Sequence, residues 1–147
     1  MKDKTIDYVL RTTWLTVQKM YNEEAAKFES TMATGFTLLS IDPEKGTPST
    51  ALGPKMGMEA TSLSRILKTM EKKGLIERHP NPKDGRGVLI HLTDFGREKR
   101  EYSKEKVITF NNSIRDNVSD EKMNNFYEVA ELIVDMVSNK KIYKKGN

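Results

Sequence analysis

The sequence predicts a mainly α protein: a winged helix-turn-helix with a two-stranded wing, flanked by N- and C-terminal helices suited to dimerisation. Three observations predict it. Apolar residues near both ends of the chain recur at helical spacing. Between them, two short helical segments precede two alternating strands joined by "NPKDGRG". Positive charge is concentrated in this middle part: residues 1–54 sum to −1, residues 55–100 to +5 and residues 101–147 to zero, within a total of +4.

The first helix carries Ile6, Leu10, Trp14, Val17, Tyr21, Ala25 and Phe28 at steps of four and three, one apolar stripe. A second helical stretch, "MATGFTLLSI", should stop at Asp42-Pro43, since proline disfavours helical geometry in the residue before it. "DPEKG" then reads as a turn. Thr47 is expected to cap the next helix, with Pro48 at its first position. Pro54 should keep that helix short or bent, and Gly57 suits a left-handed C-terminal turn. In "EATSLSRILKTMEKKG" the apolar face is Leu63, Ile66, Leu67 and Met70, and Gly74 ends the helix. Two strands are expected at about 75–79 and 88–92, with Gly85 and Gly87 giving the tip its freedom. Thr93 should cap a helix to about residue 116. Ser119 should cap the last one, where Met123, Phe126, Ala130, Ile133 and Val137 form a short heptad-like seam beside Val129, Leu132 and Met136. We read one domain over 1–147, with the winged part at about 31–93 and dimerisation helices at about 5–29 and 94–139.

The totals narrow the function. The composition is 36% hydrophobic and 31% charged, with a mean hydropathy of −0.65 and a pI near 9.2. That is polar for a compact monomer and ordinary for an oligomer; the charge weakly favours a polyanionic partner. The absence of cysteine excludes disulfides, thiolate metal sites and cysteine redox sensing. No apolar run approaches the roughly 20 residues of a membrane span, and "MKDKTIDYVL" lacks a signal-peptide core. We therefore expect a cytoplasmic protein with no membrane partner. No phosphate loop, HExxH or nucleophile elbow is present, so no enzyme and no cofactor are expected. His79 and His91 lack a neighbouring cysteine and read as strand or surface residues rather than metal ligands.

A helix-turn-helix followed by a basic ribbon suits double-stranded DNA, because the major groove admits one α-helix. The exposed face of residues 59–73 carries the hydroxyls Thr61, Ser62 and Ser64, which allow close approach. Arg65 could pair with a guanine, and Lys68 and Lys72 suit phosphates. Glu59 and Glu71 dilute this face, and a merely solvated polar face is the plain alternative. In the wing, Lys83 can meet phosphate, and Arg86 suits the negative potential of a narrow minor groove.

The stretch "TSLSRILKTMEKKGLIERHPNPKDGRGVLIHLTDFG" resembles the recognition helix and wing of the MarR family of bacterial transcription regulators. The carriers are the Ser/Thr-rich start, "LSRIL", "MEKKGLIER", the acidic-x-Arg tip and "LT..G". The resemblance implies a homodimer on a pseudo-palindromic operator, with half-sites about 10 base pairs apart. It implies groove reading by Thr61, Ser62, Ser64 and Arg65, with Lys68 at the backbone. It assigns Arg86 to the minor groove and Asp84 to orienting Arg86. It also implies a small-molecule effector pocket, which Trp14, Met32 and Phe36 could line, with core packing as their other reading. "LGPKMG" departs from the family's unbroken helix. The overall expectation is a ligand-responsive repressor. The alternative is a winged-helix dimer serving as a protein-interaction adaptor without DNA binding.

Overall fold

A computed structural model describes residues 4–143, and the side chain of Arg86 lies outside what is described. The elements run α1 (Ile6–Ala26), α2 (Met32–Ser40), β1 (Thr47–Pro48), α3 (Ser49–Met56), α4 (Ala60–Lys72), β2 (Ile76–Asn81), β3 (Asp84–Leu92), α5 (Asp94–Asp116) and α6 (Asp120–Ser138). The chain divides into two compact units, one ending at Lys106 and the other starting at Val107.

The first unit holds the core. Leu38 and Ile41 follow from α2, Leu52 from α3, and Leu63, Leu67 and Met70 from α4; Leu75, Ile76, Ile90 and Leu92 close it from the sheet side. The α4 contribution is the predicted stripe, with Ile66 packed at its edge. Each such side chain gains roughly 1.5–3 kcal/mol when taken out of water, so this cluster fixes where α4 stands.

The helix boundaries follow local chemistry. Thr5 and Thr31 accept the N–H groups of Tyr8 and Thr34 through their hydroxyls, both at 3.2 Å, which caps α1 and α2. α3 has Pro54 inside it and lasts eight residues. Gly57 then turns left-handed at φ +61°, and the Met58 N–H reaches back to the Gly53 carbonyl at 2.9 Å. That reversal is the tight turn between α3 and α4. After α4 the same device recurs: Gly74 lies at φ +76°, and the Leu75 N–H bonds the Met70 carbonyl at 2.9 Å.

"LT..G" becomes a joint. The Thr93 hydroxyl donates to the Gly74 carbonyl at 2.6 Å and accepts the Gly96 N–H at 3.0 Å. A Cβ on Gly96 would lie 2.0 Å from the Leu75 carbonyl oxygen, so only glycine fits where α5 crosses the link.

The sheet corrects two expectations. It has three strands, in the antiparallel order β1-β3-β2. Thr47 pairs with Ile90 and Pro48 with Leu89, so Thr47 is a strand residue and not a helix cap. Its hydroxyl instead accepts the Asp42 N–H at 2.8 Å. α3 starts one residue later, with Pro48 as an N-cap that makes no side-chain bond. The wing strands also run further than predicted, because pairing continues from Ile76–Leu92 to Pro80–Val88 and resumes at Asn81–Asp84.

The turn before β1 is held by Asp42. Its Oδ1 accepts the N–H groups of Glu44 and Lys45, each at 2.9 Å. These bonds, that from Lys45 first, hold the Asp42 carboxyl below its ordinary pKa.

In the second unit Ser119 caps α6, accepting the Lys122 N–H at 3.3 Å, and Arg115 Nη2 donates to the Tyr127 hydroxyl at 3.2 Å. α6 has no buried residue. Phe126, Val129, Leu132 and Val137 are all exposed. Among the described residues, no helix is long and apolar enough to cross a membrane.

Candidate nucleic-acid interface

α4 presents two faces of different chemistry. Leu63, Leu67 and Met70 are buried, while Thr61, Ser62, Ser64, Arg65, Lys68 and Lys72 are exposed. The predicted hydroxyls and cations therefore share the outward side of one helix, backed by the core. Among the described residues, Arg65, Lys68 and Lys72 make no ion pair. Glu71 does not simply dilute this face, because Arg78 of β2 meets its carboxylate at 3.3 Å. The pair is exposed and contributes well under about 1 kcal/mol, but it directs Glu71 toward the sheet.

The wing tip is shaped by Asn81. Its Oδ1 accepts the Lys83 N–H at 3.0 Å, an Asx turn over Pro82. Asn81 then pairs with Asp84, although Pro80 pairs with Val88. Residues 85, 86 and 87 are therefore left out of the ladder as a bulge, which locally bends a strand. Gly85 and Gly87 stay outside the left-handed region, so the reading of both as turn glycines is corrected. Gly87 has a different use: a Cβ there would lie 3.3 Å from Asp84 Oδ2. The structure thus places Lys83 and Asp84 at the tip, both exposed, with the backbone of Arg86 in the bulge. The side chain of Arg86, the predicted minor-groove group, lies outside the described residues. Sequence reading missed Asn81, although an Asn-Pro pair between apolar runs is a turn signal.

The predicted effector residues fall in the first unit. Phe36 meets Tyr21 edge-on at 5.5 Å, and Asn22 Oδ1 accepts the Met32 N–H at 2.9 Å. Met32 and Phe36 thus sit against the end of α1. Trp14 lies two helical turns earlier on α1, about 10 Å away along the axis, and is 49% exposed. Burial raises the Tyr21 pKa.

This arrangement has a counterpart among known proteins. A family model described as the MarR family matches residues 31–88, from α2 into β3. Residues 31–88 thus resemble a MarR-family domain. Over 88 residues it is 33% identical to YdgJ, an uncharacterized HTH-type transcriptional regulator of Bacillus subtilis, a match that covers 60% of this chain and 54% of YdgJ. The chain thus spans about half the length of that relative.

The MarR-type fold extends further. The Staphylococcus aureus MepR–DNA complex superposes with a TM-score of 0.82 at 19% identity, covering 92% of this chain and 99% of the MepR chain. The PcaV regulator of Streptomyces coelicolor, solved with its natural ligand, gives 0.77 at 17% identity and covers 91% and 94%. At such identities the likeness is one of fold. The small antiparallel sheet is accordingly the wing of a MarR-type winged helix.

Proposed function

We propose that the chain is a sequence-specific DNA-binding transcription regulator of MarR type, acting as a homodimer and as a ligand-responsive repressor. The observation that carries this reading is the outward face of α4. It offers hydroxyls and unpaired cations on a helix anchored by Leu63, Leu67 and Met70, within the segment that matches the MarR family. α4 enters the major groove, where Thr61, Ser62, Ser64 and Arg65 meet base edges and Lys68 meets phosphate. The wing follows the adjacent minor groove, with Lys83 on the backbone, Arg86 in the groove and Asp84 orienting Arg86.

Homodimerisation accounts for the helices outside the core. Ile6, Leu10 and Leu15 of α1, and Phe126, Leu132 and Val137 of α6, are exposed apolar side chains. A second copy would take them out of water. Two α4 helices then read half-sites about 10 base pairs apart. The effector reading draws on PcaV, a fold neighbour solved with its natural ligand. For this chain it assigns the pocket to Trp14, Met32 and Phe36.

Selection of bound duplexes from a random pool tests the proposal, and a roughly palindromic consensus with salt-dependent affinity is expected. Absence of any salt-sensitive DNA binding would overturn it in favour of an adaptor. Trp14 is the chain's single tryptophan, so effector binding should change its fluorescence.

A further inference from the structure

Two carboxylates, Glu59 and Glu71, bracket α4, and the fold treats them differently. Glu71, near the end of the helix, is drawn to Arg78 of β2 at 3.3 Å. Glu59 is the N-cap residue at the other end, about 18 Å away along the axis. Its backbone is fixed on both sides. The Met58 N–H bonds the Gly53 carbonyl at 2.9 Å, and the Leu63 N–H bonds the Glu59 carbonyl at 3.0 Å. A Cβ on Gly53 would lie 3.2 Å from the Met58 carbonyl oxygen, so α3 sits close against this turn. Met58 packs against the core, and Leu63 belongs to it. The Glu59 side chain is left free. It is exposed and makes no hydrogen bond to cap its own helix. Among the described residues it joins no ion pair. Ala60, Thr61 and Ser62, which follow, are short and exposed, so the carboxylate is the longest exposed side chain at this end of α4.

We infer that Glu59 reads sequence: its carboxylate accepts a hydrogen bond from the exocyclic amine of one cytosine in each half-site and rejects thymine at that position. The inference rests on the DNA-binding reading of α4 above and adds to it a residue of the wrong sign for phosphate. The N-terminal residues of a recognition helix are the ones that meet base edges. An ionised carboxylate has only acceptors, so phosphates, guanine O6 and N7, and thymine O4 all repel it. In the major groove its donors are cytosine N4 and adenine N6. Adenine sets the N7 acceptor beside its amine, whereas cytosine offers N4 with no acceptor on the same base edge. Exchanging cytosine for thymine puts an acceptor where the donor stood, which turns attraction into repulsion at one point. The face then divides its work. Arg65 suits guanine, Lys68 and Lys72 suit phosphates, and Glu59 adds the penalty against a wrong base on which specificity depends.

The test compares wild type with Glu59→Gln and Glu59→Ala. Each protein selects duplexes from a random pool. Each is then titrated against the wild-type consensus duplex and against the same duplex with the cytosine pair changed to a thymine pair. Wild type should hold cytosine at one position in each half-site and favour it over thymine by about 5- to 150-fold. Glutamine keeps the shape of glutamate but offers both a donor and an acceptor. The ratio should therefore collapse toward one in both variants, with weaker binding to the cytosine duplex and tighter binding to the thymine duplex than wild type shows. A cytosine preference that survives in the variants would overturn the inference, whatever happens to overall affinity. So would tighter binding of Glu59→Ala to every duplex, which would make Glu59 a repulsive neighbour and nothing more. A palindrome selected unchanged by all three proteins overturns this inference alone. Failure of the wild type to select any duplex overturns the regulator reading and this inference with it.

Discussion

α4 and α6 are both amphipathic, yet they end in opposite states. On α4 the apolar stripe is buried, with Met70 at 0% exposure and Leu67 at 3%. On α6 the stripe stands in solvent, with Leu132 at 57% and Phe126 at 59%. The same sequence pattern thus yields a finished core in one place and an unfinished one in the other. A helical stripe says that a face must be covered and leaves open which chain covers it.

Substitutions on the two helices should part accordingly. Leu67→Ala leaves a cavity in the finished core and should cost about 2–5 kcal/mol, read as a lower denaturant midpoint together with lost DNA binding. An unchanged midpoint would break the comparison. Leu132→Asp places a charge in the proposed dimer interface. It should leave the winged unit folded and shift the equilibrium to monomer by at least about 100-fold, roughly 2.7 kcal/mol, in sedimentation experiments. A protein that stays dimeric would show that α6 is covered in another way.

Smaller effects sharpen the contrast at the wing. Arg86→Ala should weaken operator binding by roughly 1–3 kcal/mol. Asp84→Ala should weaken it by less, although it removes a repulsive charge; tighter binding would remove the orienting role of Asp84. The smallest effect concerns Asp42. Its folded-state pKa is lowered, so its contribution is present above the ordinary value of about 4 and is lost as the pH falls through the folded value. Asp42→Ala should therefore lower stability at neutral pH, and the difference from wild type should close in acid. A difference that persists at pH 2 would assign the loss to packing.

Much of the winged unit was legible because its signals are local. Leu63, Leu67 and Met70 repeat at helical spacing, and Gly57 and Gly74 end their helices in left-handed turns. Thr93 caps α5 as its sequence predicts. What escaped is non-local. Thr47-Pro48 becomes a strand only because the edge of β3, at Ile90 and Leu89, lies beside it. The meeting of His79 with His91 depends on strand register. The reason for Gly96 lies in a carbonyl oxygen twenty-one residues earlier in the chain. At the tip, glycines drew attention that belonged to Asn81, whose side chain makes the turn. In the candidate site, the hydroxyls and cations of α4 were legible as an exposed face, whereas the pairing of Glu71 with Arg78 joins two elements and left no sequence pattern.

The bulge at residues 85–87 separates two jobs within one hairpin. Below it, strict pairing from Ile76–Leu92 to Pro80–Val88 keeps Ile76, Ile90 and Leu92 on the buried face. Above it only Asn81 and Asp84 pair, around the turn, so adding or removing a residue there does not flip the strands beneath. The tip is a replaceable bit on a fixed shank. A tip of another length or charge could be exchanged by mutation, or grafted by an engineer, while the sheet that carries it keeps its register.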